Sequence, residues 1–252
     1  MANPIPIALQ LYSIREDCAE DLPKAMEAVA KMGYEGVEFA GFHGMAAADL
    51  NKVLDDCGLK ACGTHTGWGT IQDEELDKTI EYNQAIGNQY LIVPHLAEEL
   101  RDSIDAWKST CAKFNRIAEK AAAAGMRTGY HNHTFEFQEL DGQLPIEVFL
   151  QETDDSVIMQ WDNGNALHGG MDINPLIEKY PNRSETVHVK EHSSTLEKPL
   201  AGEGDIDWDR YFTLCSTVGG TKWYIIEEEK WPFPAMESVE KSLINVKKLL
   251  GR

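Results

Sequence analysis

A chain of 252 residues carrying a formal charge of -19 at pH 7 repels a phosphate backbone, whose capture relies on Lys and Arg displacing counterions, so nucleic acid is excluded as a partner. A hydrophobic content of 42% and a charged content of 26% exclude disorder, and no apolar stretch approaches the roughly 20 residues of a membrane span. A neutral or cationic small molecule, or a metal ion, suits the balance better.

The opening segment MANPIPIALQLYS lacks a basic start, and Pro4 and Pro6 break its apolar run, which argues against a signal peptide. Cys18, Cys57, Cys62, Cys111 and Cys215 form no C-x-x-C pair and read as reduced thiols of a cytoplasmic protein. The first strand is expected over Ile5–Leu11. One rhythm then repeats: an amphipathic helix ends in glycine, and a short β-branched or aromatic run follows. It occurs at KMGYEGVEF, DCGLKACGTH, AIGNQYLIVP, AAGMRTGYHNH and TVGGTKWYIIEE, where Gly33, Gly58, Gly87, Gly125 and Gly219 are expected as left-handed helix caps. Further strands are expected near Gly36, Lys60, Tyr90, Arg127, Val157, Thr186 and Trp223. Helices are expected near Leu22, Ala46, Asp73, Ser103, Ile146, Ile173, Trp208 and Met236. This predicts an α/β fold, a (β/α)8 TIM barrel, as one domain over residues 1–252, a length close to the roughly 250 residues typical of that fold. A doubly wound open sheet is the rival, but QLYSIRED offers no Gly-rich phosphate loop after the first strand.

In a TIM barrel the active site lies at the C-terminal ends of the strands. Polar side chains are expected there in sequence: Glu38, His65, His95, His131 with His133, Asp162, His188 with Lys190, and Glu227. His188 and Lys190, two apart in the run VHVKEH, project to one face. His131, Asp162, His188 and Glu227 fall on four successive strands, side by side around half the mouth. Each has a bland alternative. A lone strand-end His is commonly a hydrogen-bonded spacer, Asp162 in WDNGN an Asx-turn residue, and Glu227 to Glu229 a solvated acidic cap. Their coincidence favours a divalent metal ion (Mn, Mg, Co or Zn), for which two imidazoles and two carboxylates are suitable ligands.

The motifs ALQLYSIRE, GYEGVEFAG, CGTHTGW, YHNHTFEF, QWDNGNALHGG, VHVKEH, GEGDIDW and YIIEEE resemble the xylose isomerase-like superfamily of TIM barrels, the sugar phosphate isomerase/epimerase group that includes tagatose 3-epimerase and inosose dehydratase. The pairing of H-x-K with a following G-x-G-x-I-D-W is the most specific part. The resemblance implies a divalent metal held by Glu, Asp, His and Glu on the last four strands, and it maps Asp162, His188 and Glu227 onto three of these positions. The fifth strand departs, with His131-Asn132-His133 where epimerases of the group carry Glu, and Asn165 replaces a second His after the Asp motif. Epimerases of the group use two glutamates to remove and return a proton beside a ketone, while the metal stabilises the enediolate. Here one of the two is missing. The expected catalytic set is therefore Glu227 as base and ligand, His131 as ligand or proton shuttle, and Lys190 as donor to the oxyanion. Substrate contacts are expected from Glu38, His65, His133 and Lys190. Trp68 is either a sugar-stacking surface or simple packing.

The implied activity is a sugar isomerase or epimerase acting on a keto- or aldo-sugar. Its alternatives are a keto-sugar or keto-inositol dehydratase, which shares the first step, and a non-catalytic sugar-binding barrel. The metal-dependent DNA repair endonuclease of the same superfamily fails on charge and on the number of ligands for a trinuclear site. An unphosphorylated sugar is expected, because Arg183 is the lone Arg placed near the mouth side of the seventh strand and no basic cluster accompanies it. Assembly as a homo-oligomer is left open.

Overall fold

Short strands and helices alternate along the chain in a computed structural model that describes residues 4–252. Met1 to Asn3, part of the segment read against a signal peptide, lie outside the described residues. The first half runs β1 (Ile7–Gln10), α1 (Arg15–Met32), β2 (Gly36–Phe39), α2 (Ala47–Cys57), β3 (Lys60–His65), α3 (Asp73–Ala85), β4 (Tyr90–Val93) and α4 (Ile104–Ala123). The second half runs β5 (Arg127–His131), α5 (Pro145–Glu152), β6 (Val157–Gln160), α6 (Asn163–His168), α7 (Asn174–Lys179), β7 (Thr186–Val189), α8 (Trp208–Leu214), β8 (Trp223–Ile226) and α9 (Ala235–Leu249). The strands pair in parallel in the order β6-β5-β4-β3-β2-β1-β8-β7. Between β6 and β7 the seam is held by the Met159 N–H to Arg183 carbonyl and His188 N–H to Trp161 carbonyl bonds, both 2.7 Å, and by a parallel bridge between Asp162 and His188. This is the predicted TIM barrel.

The period-two alternation of the strands decides the contents of the lumen. Ile7, Leu9, Val37, Phe39, Leu91, Val93, Tyr130, Val157, Met159, Val187, Val189, Tyr224 and Ile226 pack outward in the large core shared with the helices. The residues between them face inward. Ala8, Cys62 and Ile225 form one small apolar cluster, Tyr90, Ile92 and Ile158 a second, and Trp223 packs against both. Two residues further toward the mouth the inward positions turn polar, with Gln10, Glu38, His131, Gln160 and His188 all buried. Gly63 has no side chain because Glu38 takes its space: a Cβ there would collide with Glu38 Oε1.

Several boundaries differ from the sequence reading. The first helix begins earlier, at Arg15, and bends where Asp21 leaves helical geometry; Asp21 Oδ1 caps the continuation by accepting the Lys24 N–H at 3.0 Å. Gly33, Gly58, Gly87 and Gly125 have the expected positive φ, but the left-handed position near residue 219 belongs to Gly220, after a π-helical turn over Cys215–Gly219. The short helix α6 was not anticipated in WDNGN. Arg183 precedes β7 and so lies at the end opposite the mouth, where its guanidinium donates to the carbonyls of Val157 and Leu150 and to Thr153 Oγ1. It therefore cannot serve a ligand at the mouth. All five cysteines are free, and no described helix is long and apolar enough to cross a membrane.

Candidate active site

Glu38 is the centre from which the polar layer is built. Its carboxylate accepts hydrogen bonds from Gln10 Nε2, Gln160 Nε2 and His188 Nε2, each at 2.7 Å, and His65 Nε2 lies 3.3 Å away. Burial alone would raise this acid, but the neighbouring imidazoles of His65 and His188 outweigh it and hold Glu38 below its usual range. The Glu38 bond fixes the ring of His188, so that Nδ1 faces the mouth, 3.2 Å from Glu227 Oε2 and 3.9 Å from Asp162 Oδ2.

The two oxygens of Asp162 have different tasks. Oδ1 caps α6 by accepting the Asn165 N–H at 2.6 Å, the Asx-type role that the sequence also allowed. Oδ2 is buried with no hydrogen-bond partner among the described residues, although His131 Nε2, His188 Nδ1 and Lys190 Nζ stand 3.9, 3.9 and 3.5 Å away. Asn132 aligns this residue by exchanging two bonds with its backbone, both at 2.9 Å. His131, His188, Asp162 and Glu227 each offer one ligand atom, and these atoms lie within 4.8 Å of one another. Two imidazoles, two carboxylates and an unpartnered buried oxygen fit a divalent cation. A second possible set, His65, His131 and His188, overlaps the first, but His65 already shares its Nε2 proton with Gln160 Oε1 at 3.0 Å.

The charges around this cluster are strongly coupled. Burial works to raise Glu227, yet Lys190 and His188 keep it well below the normal carboxylate range. Asp162 is pushed up to about 6 by burial, against the pull of Lys190. Burial disfavours the His188 cation, but Glu227 and Glu38 on its two nitrogens lift it to about 10. Lys190 is likewise desolvated, yet Asp162, Glu227 and Glu229 raise it and keep it an ammonium. His131 is lowered far below the ordinary imidazole value by burial and by His188, and His133 to about 4 by burial and Lys190, so both rings are neutral bases.

Outside the buried layer, a cavity of about 370 Å³ opens between α6 and the loop after β7, with Asn165, Lys190, His192 and Glu229 on its walls. His133 stands at the mouth, stacked on Phe135 and edge-on to exposed His95. The structure thus brings together Glu38, His65, His131, Asp162, His188, Lys190 and Glu227. It places Glu38 beneath His188 with no exposed surface, and Trp68 against Phe114, ring centroids 5.1 Å apart, in the packing alternative. Sequence reasoning missed Gln10, Gln160 and Asn132, whose signal was only a polar residue at or after a strand end. It also missed Glu136, which is buried and accepts from Tyr130 Oη and the His133 N–H, bracing the turn after β5.

The family model described as a xylose isomerase-like TIM barrel matches residues 26–246. Inosose dehydratase of Clostridium beijerinckii is 22% identical over 250 residues, covering 83% of this chain and 82% of its own. That of Erwinia tasmaniensis is 26% identical over 245 residues, 81% of each chain. A sugar phosphate isomerase/epimerase from Parabacteroides distasonis superposes with a TM-score of 0.81 at 26% identity, over 98% of this chain and 95% of that one. The D-allulose 3-epimerase of a Methylomonas species, solved in complex with D-allulose, shares the fold at 16% identity, with a TM-score of 0.73 over 98% and 99% of the two chains.

Proposed function

The chain belongs to the xylose isomerase-like TIM barrel family, and on that premise we propose that it is a divalent-metal-dependent sugar isomerase or epimerase. Its substrate is an unphosphorylated polyhydroxy ketone or aldose, from which it removes the proton beside the carbonyl. The observation that carries this reading is Asp162 Oδ2, a buried acceptor without a hydrogen-bond partner among the described residues, ringed by His131, His188 and Glu227. These four residues would hold the cation, which supplies Lewis-acid polarisation of the carbonyl and of the enediolate derived from it.

Glu227 is the base. It follows the apolar strand β8, is 3% exposed, and remains ionised beside Lys190 and His188, so it stands deprotonated as a base must, although those two cations lower its affinity for the proton. Lys190 Nζ, 3.2 Å from Glu227 Oε2, donates to the developing oxyanion. His131, neutral, would offer its lone pair to the cation, and His65 and His133 receive substrate hydroxyls. Among the cavity walls Glu191, Glu197 and Glu229 outnumber Lys190 and Lys230, which favours a neutral sugar over a phosphate ester. The free thiols favour a reducing, cytoplasmic setting.

A second reading, dehydration of a keto-inositol or keto-sugar, is favoured by the named inosose dehydratases that align with four fifths of the chain. It begins with the same proton removal and ends in loss of a β-oxygen. Protein loaded with Mn is incubated with a panel of keto-sugars and keto-inositols, and the products are followed by NMR and ultraviolet absorbance. A new epimer or aldose–ketose isomer supports the leading reading, and an unsaturated ketone supports the second. Tight sugar binding without turnover across the panel contradicts both.

A further inference from the structure

Lys190 is bound by more carboxylates than its role as an oxyanion donor requires. Its ammonium is 3.5 Å from Asp162 Oδ2, 3.2 Å from Glu227 Oε2 and 2.5 Å from Glu229 Oε2. The first two oxygens belong to the candidate metal ligands, and Lys190 Nζ is the only ammonium or guanidinium paired with either among the described residues. The third belongs to a side chain in the loop after β8 that is 43% exposed and otherwise unused by the site. Cation ligation by Asp162 and Glu227 and their ion pairing with Lys190 draw on the same lone pairs, and two cations a few ångströms apart in a poorly solvated site repel strongly.

We infer that Lys190 is a built-in competitor for the metal centre and that Glu229 is the positioning residue that resolves the competition, drawing the ammonium aside so that Asp162 and Glu227 become free to act as ligands. Glu229 needs no contact with metal or substrate for this. Its distance to Nζ, shorter than either ligand's, places the nearest of the three carboxylates on the solvent side of the cluster, toward which a flexible lysine stem can swing. Lys190 drawn in that direction still faces the cavity where a sugar oxygen would lie.

The inference rests on the metal reading above, and its test separates the two. Full-length protein is stripped with chelator, and Mn binding is measured by calorimetry and by the EPR signal of free Mn, with circular dichroism and thermal unfolding to verify the fold. Lys190→Met is expected to tighten Mn binding by at least about tenfold, because the competing charge is gone. Glu229→Gln, at a half-exposed position where folding is not at stake, is expected to weaken it by about three- to tenfold, because the ammonium is left with the ligand oxygens alone. In the double variant the Glu229 effect should vanish, giving the affinity of Lys190→Met. Wild-type affinity in Glu229→Gln, or an equal loss from Glu229→Gln in the presence and absence of Lys190, overturns the positioning role. Unchanged or weaker binding in folded Lys190→Met overturns the competition. Mn binding by Lys190→Met but not by wild type supports it in its strongest form. No binding by either overturns the metal reading as well.

Discussion

Glu38→Gln isolates the support beneath His188 from the ligand itself. The substitution preserves the shape of a fully buried side chain but exchanges an acceptor-only carboxylate for an amide whose NH2 must face one of three donors. Gln10 or Gln160 can rotate its own amide to relieve part of the conflict, whereas the proton on His188 Nε2 cannot be rotated away. The loss is then one or two charge-assisted bonds, about 2–4 kcal/mol. For a chain of this size each kcal/mol lowers Tm by about 2–4 °C, so a fall of about 5–15 °C is expected in thermal unfolding. Because His188 loses the carboxylate that orients its ring and raises its basicity, Mn affinity should also fall by about 10- to 100-fold in calorimetry. Gln10→Ala is the control, since Gln10 touches Glu38 but not His188. It should lower Tm while leaving Mn affinity within a few fold. Equal metal affinity in folded Glu38→Gln and wild type would refute the claim that this carboxylate acts through the ligand.

Other expectations follow from the same geometry. Protein purified without chelator should contain bound divalent metal that His188→Ala and Asp162→Ala lack, and equal metal content by elemental analysis in all three would remove both residues from the ligand set. Burial raises Glu136 from the ordinary 4.5 to about 7, so the folded state keeps a proton there that the unfolded chain has released, and this group's contribution to stability falls as pH rises between those values. The unfolding free energy of wild type relative to Glu136→Gln should therefore drop by about 2–3 kcal/mol between pH 5 and pH 8 in denaturant titrations, and a pH-independent difference would contradict the shift. Arg183→Met should cost about 3 kcal/mol or more by stranding two buried carbonyls at the closed end of the barrel, yet leave Mn affinity unchanged; altered affinity would mean that the two ends of the barrel communicate.

The barrel was legible because its signals are local and repeated: a capping glycine followed by a β-branched or aromatic run marks five of the seven helix-to-strand joints. The clustering of His131, Asp162, His188 and Glu227 was legible because period two and strand-end position together determine where these side chains point. Gln10 and Gln160 were not, since a lone Gln at a strand end is indistinguishable from any half-exposed polar residue until the strands are wrapped around Glu38. Asp162 was read as a choice between a turn residue and a ligand, but a carboxylate has two oxygens, and here one caps α6 while the other faces the site. Helix α6 was hidden by that same stretch, whose Asn163, Gly164 and Asn165 have poor helix propensity and owe their turn to the Asp162 cap and to packing. Arg183 was placed at the wrong end although β7 begins at Thr186 as expected: a residue that precedes a strand lies at its N-terminal end, opposite the mouth. The grip of three carboxylates on Lys190 depends on the loop after β8, whose course no periodicity encodes.

The most direct test of the central claim follows a proton on carbon. Metal-stripped protein and Mn-loaded protein are each incubated in deuterium oxide with a keto-sugar or keto-inositol substrate identified by the product panel, and deuterium at the carbon beside the carbonyl is read by NMR. The account predicts exchange that requires the metal and that falls by about a hundredfold or more in folded, metal-loaded Glu227→Gln, the range expected for removing a general base, with a much smaller loss in Glu229→Gln at saturating Mn. Exchange that is indifferent to metal, or that survives Glu227→Gln and is lost in Glu229→Gln, would contradict it.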